Sequence, residues 1–153
     1  MGCDIHAHVE IKYAGNWMHY ANPRINRWYD LFSLMANVRN EEIGHAGYIR
    51  PIAQPRGIPR DATPTTKLCA KEYGADGHSH SWLSSEEVAK VVEWANKNHY
   101  KENSWYSFEH SEIGYIFGNG WNFKNYPAAE NGKGYDGQPH KLEDARLVFW
   151  FDN

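Results

Sequence analysis

The chain has 153 residues, 41% of them hydrophobic, a formal net charge of −3 and two cysteines. That length suits a single domain over residues 1–153 with a sizeable core, and no apolar run approaches a membrane span. The lack of a lysine/arginine run argues against a broad nucleic-acid surface, and Cys3 and Cys69 are too few for a disulfide scaffold, so both read as small buried hydrophobes.

The first dozen residues alternate apolar and polar, the pattern of a strand with one buried face. Cys3, Ile5, Ala7, Val9 and Ile11 fall on one side; Asp4, His6, His8, Glu10 and Lys12 fall on the other. The second side carries acids and imidazoles, the groups that bind metals or move protons. Ala14-Gly15-Asn16 reads as a turn, with Trp17 to Tyr20 pairing back as a hairpin, and Asn22-Pro23 interrupts the pattern. Asp30 is placed as the N-cap of a helix whose Leu31, Leu34, Met35 and Val38 form one apolar stripe, flanked by Arg24, Arg27 and Arg39.

Residues 40–64 are rich in proline and glycine and read as an irregular segment carrying Arg50, Arg56, Arg60 and Asp61. Arginines on such a loop either lie solvated or grip phosphate or carboxylate. Thr63-Pro64 opens a second helix that ends before Gly74. Asp76 to Ser81 reads as an imidazole-rich loop. Ser84 and Glu87 then form a capping box, with Leu83 and Val88 as a hydrophobic staple, for a third helix fading near Asn96 to His99. Such a helix start favours anions, so a phosphate could sit near Ser84 and Ser85 with His78 or His80 as proton carrier. Residues 111–117 read as a strand, Gly118-Asn119-Gly120 as a turn, and Asn131 to Pro139 as a loop. The apolar run from Ala145 to Phe151 reads as a strand covered on both faces and a natural neighbour of the first strand. The expected fold is therefore α+β: a single compact domain, mainly antiparallel sheet, with N- and C-terminal strands central and about three helices.

His6 and His8, two residues apart on a strand, could converge on one ion, whereas Asp4 to Glu10 spans about 20 Å and could not do so as a set. The candidate metal ligands are Asp4, His6, His8 and His78, in a site suited to zinc, manganese or iron that would activate water for hydrolysis. Asp4-Ile5-His6-Ala7-His8 resembles the first-strand motif of amidohydrolase barrels, but a barrel needs about 250 residues. No phosphate loop, dinucleotide fingerprint or nucleophile elbow is present in the sequence.

Gly2-Cys3-Asp4-Ile5-His6, the Leu31 to Arg39 helix, Pro55-Arg56-Gly57-Ile58-Pro59, Asp76 to Leu83, and Arg146 to Asn153 together resemble a group of small proteins encoded by tailed bacteriophages. The resemblance implies an accessory protein made in the host bacterial cytoplasm, where the lack of a basic-then-apolar leader also places it. It implies no particular activity, and it favours Asp4, His6 and His78 over His8. Two functions are expected. One is a metal-assisted hydrolase of a phosphodiester or nucleotide, with His6 and His78 catalytic, Arg56 and His80 binding the ligand and Trp82 stacking on a base. The other is a module without turnover that captures a nucleotide or blocks a host defence protein.

Overall fold

The computed structural model describes residues 2–40, 47–102, 111–118 and 142–153. Strands β1 (Asp4–Tyr13), β2 (Asn16–Ala21), β3 (His78–Ser84) and β4 (Leu142–Asp152) form one antiparallel sheet in the order β2-β1-β4-β3. The N- and C-terminal strands are thus central, as their sequences imply. The α-helices among the described residues are α1 (Tyr29–Ala36), α2 (Pro64–Glu72), α3 (Ser85–Glu102) and α4 (Glu112–Phe117).

The first strand keeps its alternation. Ile5, Ala7 and Val9 are buried and join Leu147, Phe149 and Phe151 of β4 in the apolar core, over which α1, α3 and α4 contribute Leu31, Phe32, Met35, Val88, Val91, Val92 and Ile116. Cys3 is a fully buried member of this core, whereas Cys69 is only partly buried. β1 and β2 are joined by a two-residue turn, in which Ala14 and Gly15 both have positive φ (48° and 78°), as a tight hairpin requires. α3 starts with the expected reciprocal cap: Ser84 N–H donates to Glu87 Oε2 at 2.8 Å, and Glu87 N–H to Ser84 Oγ at 3.4 Å.

Four local expectations are corrected. Helix α1 begins at Tyr29 with Trp28 at its N-cap, so Asp30 lies inside the first turn, where its charge suits the helix dipole. The segment from His78 is the edge strand β3 rather than a loop; the sequence hides it because Ser79 is in the left-handed region (φ 52°) and shifts the register between His78 and Ser81. Helix α3 continues past His99 to Glu102. Residues 112–117 form a helix, capped by the Ser111 hydroxyl accepting from Gly114 N–H, rather than a strand. The turn at Asn119-Gly120 and the loop at Asn131 to Pro139 lie outside the described residues. Among the described residues, no helix is long and apolar enough to cross a membrane.

The second face of the sheet is polar and also covered. Register pairs His6 with Trp150, His8 with Val148 and Glu10 with Arg146, so these side chains share that face. The start of α2 closes over it. Glu10, fully buried, accepts at Oε2 from Thr63 N–H and Thr66 O–H (both 2.8 Å), and at Oε1 from Arg146 (2.8 and 2.9 Å). Arg146 also binds Asp61 (2.8 Å) and lies 3.8 Å from the Trp17 ring centroid. β4 is therefore buried on both faces, apolar on one and polar-aromatic on the other.

Candidate functional site

β1 is bonded to β4 along its whole length but to β2 only from Val9 to Tyr13. At Asn22-Pro23 the chain leaves the sheet, since proline has no N–H to continue a ladder. Between the first half of β1 and the segment 22–27 lies a cleft of about 650 Å³, walled by Asp4, His6, Asn22, Arg24, Asn26 and Arg27 among others. That volume lies in the range of small-molecule sites.

His6 sits on its wall, with its side chain about a quarter exposed (27%). Nε2 is 3.2 Å from Asp152 Oδ2, and Nδ1 is 3.0 Å from the Tyr73 hydroxyl. A carboxylate only accepts, so Nε2 carries the proton. In the neutral ring Nδ1 then accepts from the Tyr73 O–H. The result is a Tyr73–His6–Asp152 chain, the arrangement that holds an imidazole in one tautomer for proton transfer. The Tyr73 hydroxyl is held above its usual pKa, by burial first and then by the neighbouring Asp152 carboxylate, so it stays a donor.

Behind His6 stands Trp150, fully buried. His6, His8 and His80 lie nearly parallel to its ring at 6.0, 5.1 and 6.0 Å, and Tyr73 meets it edge-on at 5.8 Å. His8 is 2% exposed and shares a 2.8 Å hydrogen bond with His19 of β2. Burial, then the neighbouring His19, pushes its pKa down to about 4, so the His8 ring is held neutral. His80 is likewise lowered, by burial and then by His78.

Asp4 does not face His6 as a free acid. Its carboxylate is gripped by Arg27 through Nε (3.0 Å) and Nη2 (2.9 Å), and this pairing, with burial opposing it, holds its pKa below the usual range. His78 is turned away by the bulge at Ser79: its ring stacks at 6.1 Å on Phe151, whose side chain belongs to the apolar face, and its Nδ1 bonds Ser79 Oγ. His80, not His78, is the imidazole of that stretch that shares Trp150 with His6. Arg56 binds both Glu87 oxygens (2.6 and 2.7 Å) and the Trp82 carbonyl, with its guanidinium 4.9 Å from the Trp82 ring centroid. Arg56 and Trp82 thus meet each other at the start of α3. Asp4, His6, His8 and His78 each bond a different partner, and among the described residues no three histidine, cysteine, aspartate or glutamate side chains are placed to hold one ion.

Arg24 is exposed at the cleft and makes no ion pair or hydrogen bond among the described residues. The sequence shows Arg24 and Arg27 only as cations flanking α1. Tyr73, Trp150 and Asp152 carry no signal before the strand register is known. Comparison with protein-family models, curated proteins and solved structures finds no match for this chain.

Proposed function

We propose that this chain, an accessory protein of the tailed-phage kind it resembles, takes a small phosphate-bearing ligand of the nucleotide class in the cleft beside β1. His6 exchanges a proton with that ligand during hydrolysis of a phosphoester. The observation that carries this is the Tyr73–His6–Asp152 chain on the wall of a cleft where Arg24 is unpaired among the described residues. Arg24 supplies the charge for phosphate, and His6 the imidazole that gives or takes the proton. A second reading, capture without turnover, is favoured by one feature: both nitrogens of His6 are already hydrogen-bonded within the protein.

Incubation with mononucleotides, cyclic nucleotides and linear dinucleotides, followed by chromatography, separates the two. Products that appear with the wild type and vanish with His6→Ala mark hydrolysis. Unchanged nucleotide that travels with the protein marks capture. The same assay with added manganese or with a chelator tests whether zinc, manganese or iron takes part. If no nucleotide is cleaved or retained under any of these conditions, the cleft does not bind this class.

A further inference from the structure

The two arginines of the cleft are partnered differently. Arg24 is unpaired among the described residues. Arg27 gives only one edge of its guanidinium, Nε and Nη2, to Asp4. Its Nη1 makes no hydrogen bond among the described residues. The plane is also backed by the main chain: a Cβ at Gly2 would fall 2.2 Å from Nη1 and 2.4 Å from both Cζ and Nη2. Glycine at position 2 is therefore what lets the guanidinium lie there, and the bidentate carboxylate fixes its rotation. A guanidinium held on one edge and one face keeps its last amino group for a ligand. Two residues of irregular chain, Ile25 and Asn26, separate Arg24 from Arg27, so their Cα atoms are at most about 10 Å apart, and both side chains are long enough to close on a compact polyanion.

From this we infer that the ligand carries at least two linked phosphoryl groups, a diphosphate or longer, with one held by Arg24 and the next by Arg27 Nη1. The inference rests on the phosphate-ligand reading of the cleft and narrows it. Asp4 acts here as a positioning residue: it neutralises part of the Arg27 charge while holding its geometry. It also keeps the cleft selective, because a monophosphate meets one free cation, whereas a diphosphate reaches both.

Calorimetric titration with inorganic phosphate and inorganic pyrophosphate, without divalent metal, tests this. The wild type should bind pyrophosphate at least tenfold more tightly than phosphate. Arg24→Ala and Arg27→Ala, each shown by circular dichroism to be folded, should both bring pyrophosphate down to the phosphate level. Arg27→Lys keeps the charge and loses the fork, and should fail to restore the preference. Asp4→Asn removes the carboxylate that fixes the Arg27 fork, so it should lose the preference for pyrophosphate over phosphate even though the local positive charge rises; a preference kept in full by this variant would overturn the positioning role. Equal binding of the two anions, or a preference that survives in Arg27→Ala, would overturn the two-phosphate inference while leaving a phosphate-binding cleft. No binding of either anion would remove the cleft reading itself.

Discussion

His6 shows how far one residue can be derived from its neighbours. A carboxylate at 3.2 Å from Nε2 and a hydroxyl at 3.0 Å from Nδ1 permit one neutral tautomer. Nitrogen-15 chemical shifts of the neutral ring should therefore report Nε2–H. Asp152→Asn offers a donor as well as an acceptor and should give a mixture of tautomers, while Tyr73→Phe should leave Nε2–H unchanged and cost about 1 kcal/mol in stability. An Nδ1–H form in the wild type would mean that Tyr73 does not donate to this ring. His6 could be picked out as a candidate because it alternates with apolar residues on a strand. Its partners could not, because Tyr73 ends a helix and Asp152 ends a strand 146 residues away.

At the scale of the element, legibility followed the regularity of the backbone. β1, the hairpin and the start of α3 obey a period or a capping rule, and they stand where their patterns put them. β4 is a run without alternation, and it is covered on both faces, as such a run implies. β3 is hidden in the sequence because its alternation breaks at Ser79, a non-glycine residue at φ 52°. Two histidines two apart would share a face on a regular strand; here the bulge sends His78 against Phe151 and His80 against Trp150. A β-branched residue tolerates that backbone poorly. Ser79→Val should destabilise the protein by about 1–2 kcal/mol in denaturant unfolding, while Ser79→Gly should cost little. The two variants should also separate in the fluorescence of Trp150, because straightening the strand would move His80 off its ring. Equal stability for both would mean that the bulge is not needed to fit β3 to β4.

For the whole molecule, the sheet separates two interiors of opposite chemistry, and the polar one makes stability depend on pH. His8 and His19 share one proton-mediated contact at 2.8 Å against Trp150, with Glu10 and His6 the other titratable groups acting on His8. The unfolded chain protonates this histidine near 6.5, and the folded one only near 4. Between those values the unfolded state holds more protons, so stability is complete above about pH 6.5 and falls as the pH drops towards 4. One such group costs up to about 1.4 kcal/mol per pH unit and about 3 kcal/mol over the window. His80, also lowered, adds in the same direction. Glu10 acts later. Burial opposes its ionisation, but the bonds from Thr63, Thr66 and Arg146 outweigh burial and hold its pKa below the ordinary value. Its contribution is lost only as the pH falls below the unfolded carboxylate range and through its own lowered value. Urea unfolding at pH 7, 6 and 5 should give a falling stability before any carboxylate titrates. His8→Asn should flatten that slope by about one proton, whereas Glu10→Gln should lower stability at pH 7 and leave the slope between 7 and 5 intact. A wild-type stability that is flat across this range would mean that His8 is protonated as readily in the fold as outside it, and that the second face is open to water rather than closed by α2.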